Sequence, residues 1–359
     1  MKRKSILTGL LAILLSLSLL EQAWACTIFT SEGKAAVYAA GNEDWMYSID
    51  TSMIITAGGP KGYGRVCFYN STYIQAGMNE YGLFYDGASC PSTTLPYDET
   101  KAQLDFDLGD VVLASCASVS EVIEFVGNIN LPQGFYDHLL FADSTGDSVV
   151  LEWMANELHI IRKGEEAYQL VTNFWLTDPS LGGYPCRRYA AAEELLKQEE
   201  ATVAHFAKVL DATKQHWGSG GTLYSGIYDL THTEVYVFQL GDMTQAHRLN
   251  LTKQLSEMQE EEQITQAIKD LSFDTNIETL NEEETLPTSA PTEPPKQAPL
   301  PTEPPKASPL PTGTVEDQKA PDTSSSPSAV WGWGLGLALF LLAFLLLQKP
   351  IRGLRKKKR

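Results

Sequence analysis

Two near-identical decapeptides in tandem, PTEPPKQAPL at 291–300 and PTEPPKASPL at 301–310, constrain this 359-residue chain more than any other feature. They lie in a segment, 281–328, that holds twelve of the 19 prolines and is otherwise rich in Thr, Ser and Glu. Proline fixes φ and lacks a backbone donor, so neither a helix nor a sheet ladder continues through such a stretch, and extended polyproline II is expected. At ~3.1 Å per residue a stretch of this length reaches on the order of 150 Å. The packed part of the protein must come from what precedes it.

The two ends are equally distinct. Lys2, Arg3 and Lys4 lead into an apolar run over 6–20, broken only by Thr8, Gly9, Ser16 and Ser18, and Ala23-Trp24-Ala25 gives a small-x-small end. A run of ~15 residues is short for a membrane span, so 1–25 reads as a secretory signal removed by signal peptidase, leaving Cys26 as the first residue. A lipoprotein signal fits less well, because Ala23 stands where Leu is preferred and Trp24 where a small residue is. Beyond the linker, 329–348 is uncharged and apolar, and seven basic residues follow in 349–359. That pattern predicts a transmembrane helix with a cytoplasmic basic tail, and with Trp331 and Trp333 at the outer interface. The expectation is a single-pass cell-membrane protein whose body lies outside the cytoplasm.

The net charge is −18, and all acidic residues except Glu21 lie within 26–328. Nucleic acid is excluded as a partner, since it calls for a basic face. Five cysteines show no C-x-x-C pair and no Cys/His cluster at zinc spacing, so no metal or other cofactor is expected. Cys67, Cys90, Cys116 and Cys186 leave two alternatives open, a pair of disulfides or free thiols.

The body, 26–280, begins as strands: period-two and β-rich segments at 26–30, 35–40, 52–56, 65–69 and 73–78. Apolar residues at helical spacing then predict one helix over 108–126. Strands are predicted at 138–142, 148–153, 158–162 and 169–172, a long helix at 188–213, a hairpin of 225–230 with 234–240, and a last helix at 252–271. Blocks of strands with interleaved helices imply an α+β domain of largely antiparallel sheets.

The chemistry starts at the predicted cut. A cysteine at a new N-terminus carries a thiol and a free α-amine on one residue. The amine, with an ordinary pKa of ~7.7–8.0, serves as a base beside a strong nucleophile, so no catalytic histidine is required. From Cys26 the chain reads CTIFTSEGKAAVYAAGNEDW. That start resembles the N-terminal-nucleophile hydrolases of the choloylglycine hydrolase, penicillin V acylase and acyl-CoA:6-aminopenicillanate acyltransferase group. In them a first Cys is followed by a hairpin and an N-x-D-[WF] segment, here Asn42-Glu43-Asp44-Trp45. Similar stretches follow in family order: Gly77-Met78-Asn79-Glu80-Tyr81-Gly82-Leu83, a hairpin from Leu140 to Glu152, Leu170-Val171-Thr172-Asn173, Cys186-Arg187-Arg188-Tyr189, and a closing hairpin from Tyr224.

The resemblance covers about 26–250. It implies a four-layer αββα sandwich, Cys26 as nucleophile, Asp44 orienting its amine, Asn173 as oxyanion donor and Arg188 as the active-site arginine, with Arg187 the alternative. It implies hydrolysis or acyl transfer at a linear amide of a small N-acyl substrate. One departure stands out. The bile-salt and penicillin V members carry Arg where this chain has Gly41, and their second oxyanion N–H falls near Ala88-Ser89. Competing readings are a non-catalytic lipoprotein or adhesin displaying a degenerate domain, and a Cys–His protease. His138 lies in a resembling stretch and reads as structural. Asn70-Ser71-Thr72 and Asn250-Leu251-Thr252 are glycosylation sequons in a eukaryotic host.

Overall fold

The computed structural model describes residues 26–277 except 105, 106, 133 and 199. The predicted signal (1–25), linker (281–328), membrane helix (329–348) and basic tail (349–359) lie outside the described residues. Among the described residues no helix is long and apolar enough to cross a membrane.

Six strands open the domain: β1 (Thr27–Glu32), β2 (Val37–Met46), β3 (Thr51–Thr56), β4 (Arg65–Asn70), β5 (Tyr73–Asn79) and β6 (Phe84–Ser89). The short β7 (Ala102–Gln103), helices α1 (Leu108–Ser115) and α2 (Val119–Gly127), and β8 (Ile129–Asn130) follow. Next come β9 (Asp137–Ala142), β10 (Ser148–Met154), β11 (Glu157–Arg162) and β12 (Tyr168–Val171), then α3 (Arg187–Leu196) and α4 (Val203–Thr213). The last elements are β13 (His216–Trp217), β14 (Gly220–Asp229), β15 (Glu234–Gln239), β16 (Gln245–Asn250), α5 (Leu251–Ser256), β17 (Gln263–Ala267) and β18 (Thr275–Asn276).

Two large antiparallel sheets result. One runs β12-β1-β2-β14-β15-β16-β18 with β13 beside β14, the other β11-β10-β9-β6-β5-β4-β3-β17. Period-two alternation explains how they stack, because successive side chains point to opposite faces. In the first sheet Ile28, Ala39 and Tyr228 turn to a core shared with Val66, Phe68, Phe84 and Leu140 of the second. Their neighbours Phe29, Ala40 and Ile227 pack instead against Ala192, Phe206 and Leu210 of α3 and α4. In the second sheet Leu139, Phe141, Val149 and Leu151 face Val112, Leu113, Val119 and Val122 of α1 and α2. Each sheet thus buries one face on the other sheet and one on a helix pair. Each fully buried aliphatic or aromatic side chain in these layers contributes ~1.5–3 kcal/mol.

The strand expectations largely match, whereas three helix expectations need correction. The single helix over 108–126 is two. Asn79 Nδ2 donates to the carbonyls of Leu113 (3.0 Å) and Cys116 (2.7 Å), closing α1. Ser118 then caps α2 by accepting from the Glu121 N–H, a cap of ~1 kcal/mol. The long helix over 188–213 is also two. A Cβ on Gly33 would collide with the Ala201 carbonyl, so the β1–β2 turn packs directly on the corner between them. Thr202 caps α4 through the His205 N–H. The last helix ends at Ser256, and β17 instead pairs with β3 as an edge strand. Strands β6, β7, β8, β13, β16 and β18 had no sequence forecast, and β17 lies in the stretch expected to be the last helix.

Candidate active site

The site begins with strand register. Thr27 pairs with Asn42 across β1 and β2, so the next rung outward sets Cys26 beside Glu43. Both face the inter-sheet core and are buried, at 8% and 4% exposure. The Cys26 thiol lies 3.5 Å from Glu43 Oε2, and Asn70 Nδ2 on β4 donates to Glu43 Oε1 at 2.8 Å. The Asn70 carboxamide is therefore committed inside the protein, which closes that sequon to a glycan. All five cysteines are free, which settles the alternatives left open by their count.

From the other side of the first sheet, α3 directs Arg188 at the same residue. Its Nη1 donates to the Cys26 carbonyl (2.5 Å) and to Thr27 Oγ1 (2.8 Å), and its Nη2 to Asn173 Oδ1 (3.2 Å). The adjacent Arg187 is exposed, so of the pair it is Arg188 that meets Cys26. Asn173 follows β12, and its Nδ2 donates to the Ser89 carbonyl at 2.8 Å, joining the two sheets at the edge of the site. One N–H of that amide remains for another acceptor.

A buried network fixes the segment carrying Asn173. His138 contacts Glu152 Oε1 (3.0 Å) and the Thr172 carbonyl (2.5 Å), while Glu152 accepts from the N–H groups of Leu176 (2.7 Å) and Thr177 (3.0 Å). Burial pushes the Glu152 carboxyl up, but the hydrogen bonds from His138 and Thr177 outweigh it and hold the carboxyl below its ordinary range. His138 is a structural strut. That commitment leaves it unsuited to pairing with Cys26 in a Cys–His protease.

Asp44 accepts from Thr222 Oγ1 (2.5 Å) and Gln215 Nε2 (2.7 Å). The ladder between β2 and β14 shifts register between Thr222 and Tyr224, beside Asp44; such bulges re-aim side chains near active sites. Burial raises Asp44 from 3.8 to about 6, and its two hydrogen bonds and Arg188 oppose the rise.

The Gly41 departure has a structural counterpart. A Cβ there would collide with Asp86 Oδ2 of β6, so a carboxyl from the facing sheet fills the space. Burial, and next Glu43, push Asp86 well above its ordinary range. Burial together with Asp44 carries Glu43 from 4.5 to about 8. The Cys26 thiol is pushed up by burial first, then by Glu43, Asp44 and Asp86. At neutral pH Glu43 and Asp86 are therefore mostly protonated, whereas Asp44 is mostly ionised. The Tyr224 and Tyr228 hydroxyls lie in the same interior without a hydrogen-bond partner among the described residues.

The structure thus gathers Cys26, Asn173 and Arg188 by direct contact and sets Asp44 close enough for its charge to act on both Cys26 and Arg188. Sequence reasoning missed Glu43, Thr27, Gln215, Thr222 and Asp86. Glu43 was open to discovery, since it lies inside the N-x-D segment and hairpin register sets it opposite Cys26. Among the described residues no cluster of three or more His, Cys, Asp or Glu side chains is arranged to hold a metal ion.

Two helix-flanked antiparallel sheets with a cysteine opening the first strand define an N-terminal-nucleophile hydrolase fold, and the comparisons agree. The profile of the acyl-coenzyme A:6-aminopenicillanic acid acyl-transferase family matches residues 30–243, and the chain belongs to that family. Penicillin V acylase from Agrobacterium tumefaciens is similar in structure, with TM-score 0.55 and 17% identity over 68% of this chain and 91% of that one. An Arg-to-Leu variant of conjugated bile acid hydrolase from Clostridium perfringens is similar with TM-score 0.55 and 18% identity, over 70% and 99%. No curated protein sequence matches the chain.

Proposed function

We propose that this protein is an extracytoplasmic, membrane-anchored amidase or acyltransferase acting on a linear, non-peptide amide through Cys26. The observation that carries the reading is the Arg188 guanidinium, which holds the Cys26 carbonyl, Thr27 and Asn173 together around one thiol. Signal cleavage after Ala25 supplies the α-amine. The Cys26 sulfur attacks the amide carbonyl, the α-amine takes the thiol proton, and the remaining N–H of Asn173 meets the developing oxyanion. A donor of that kind is worth ~2.7–4 kcal/mol. The α-ammonium then returns its proton to the departing amine, and water resolves the acyl-enzyme. The family description names an acyl-transferase, which favours a second acceptor as well: an amine in place of water.

The test is a panel of N-acyl amides given to the mature chain. Turnover of at least one member is expected, and a silent panel overturns the reading. Arg188→Ala should lower kcat/KM on that substrate by at least ~10²-fold, with Asp44→Asn comparable, on the scale of acid–base contributions. Near-parental kinetics in both would demote the two residues to structural roles.

A further inference from the structure

We propose that Glu43 is a further catalytic residue, working as a neutral carboxylic acid that donates a hydrogen bond to the Cys26 sulfur as the thiolate forms and attacks. This rests on the reading of Cys26 as nucleophile and adds a role that reading does not contain.

The geometry carries it. Glu43 is 4% exposed, and its Oε2 is 3.5 Å from Sγ. Asn70 donates to the other oxygen, Oε1, at 2.8 Å, which orients the carboxyl; Oε2 accepts from the resting thiol, and once the thiol proton has left it is the oxygen from which the acid proton can be shared with the sulfur. The charges that act on the group from β2, β6 and β9 are acidic. Asp44 neighbours it on β2, Asp137 acts from β9, and Asp86 approaches from β6. The thiol of Cys26 on β1 and the hydroxyls of Tyr224 and Tyr228 on β14 complete the surroundings. An interior crowded with carboxyls favours the protonated form, and the cations nearby are Arg188, held on the Cys26 carbonyl, and the α-amine of mature Cys26 once it takes a proton. A carboxylic acid kept neutral in this way can donate to a developing anion.

The proton count is simple. In the attack an S–C bond forms, the S–H bond breaks, and its proton goes to the α-amine, while the carbonyl π pair becomes the oxyanion. Glu43 keeps its own proton and shares it with the sulfur. Once Glu43 ionises, its negative charge faces the sulfur and opposes the thiolate. Activity should therefore rise as the α-amine loses its proton and fall as Glu43 loses its own, about pH 8.

The experiment compares mature parent and Glu43→Gln by the pH profile of kcat/KM and by iodoacetamide alkylation of Cys26, read by peptide mass mapping. Glutamine keeps a donor and cannot ionise. The ratio of activity at pH 9 to that at pH 7 should rise about tenfold, as loss of a single titration near pH 8 requires. The same ratio for alkylation should rise with it. Asn70→Ala removes a hydrogen bond that favours the ionised carboxyl, so it should move the alkaline fall to higher pH and serves if the glutamine variant does not fold. Parental ratios in both variants overturn the inference. If no amide is turned over but the alkylation ratio shifts, the amidase reading fails and the coupling of Glu43 to the thiol stands. Turnover by the parent with unshifted ratios in the variants sinks this inference alone.

Discussion

Cys26→Ala is expected to abolish turnover, by on the order of 10⁴-fold or more, while leaving the fold in place. In the proposed mechanism the sulfur forms the acyl-enzyme, and the Arg188 clamp grips the residue 26 carbonyl, which alanine retains. Removing one sulfur from the inter-sheet core leaves a cavity of about one atom, whose cost is on the order of 1 kcal/mol. The measurement pairs kcat/KM with a thermal melt. A melt shifted by only a few degrees alongside lost activity fits the assignment, whereas full activity in the alanine variant sinks it. Cys26→Ser should keep a trace of activity, because an alkoxide is far harder to generate than a thiolate.

The second large effect concerns maturation. The α-amine exists only after the bond between Ala25 and Cys26 is cut, and an amide nitrogen in the uncut chain has no basic lone pair to offer. The structure sharpens this expectation, because the contacts that build the site do not need a free amine. Arg188 reaches the carbonyl, Glu43 the sulfur, and Asn173 the Ser89 carbonyl. Replacing Ala23 and Ala25 with bulky residues should thus give a folded, membrane-held chain with its site assembled and its base missing. Its kcat/KM should fall as steeply as that of Cys26→Ala. Placing Met directly before Cys26 should restore activity once an aminopeptidase trims it. Truncation after about Asn281 should release a soluble enzyme of the same kcat if, as proposed, the linker and anchor supply location alone. An uncleaved chain with full activity, its mass verified intact, would refute the amine's role even if Cys26 proved essential.

Much of the site was legible in the residues because family motifs mark it at short range. Cys26, Asp44, Asn173 and Arg188 were each named from local stretches, and the fold sets three of them in contact. The strands were legible for a related reason. β9, β10 and β15 are short runs rich in Val, Leu, Phe, Tyr and Trp, as strands buried on both faces are expected to be.

Helix continuity was misjudged, although the Ser118-x-x-Glu121 spacing is a capping signal for a second helix start. The apolar stripe over 108–126 is continuous, yet Asn79 draws away the carbonyls at 113 and 116. Nothing within the helix reports a side chain arriving from another strand. The same holds for 188–213, where the break answers to the backbone of Gly33.

By itself, then, the sequence determined the β-rich apolar segments that make two doubly buried sheets and the local stretches that carry Cys26, Asp44, Asn173 and Arg188. Only the tertiary structure decided which arginine of the pair contacts Cys26, and that Glu43 lies against the sulfur. It alone set the Asp86 carboxyl in the space above Gly41. The physical reason is one of range. Periodicity and propensity act over a turn or a strand, whereas the charge and proton state of a buried thiol depend on carboxyls that facing sheets bring together across long stretches of chain.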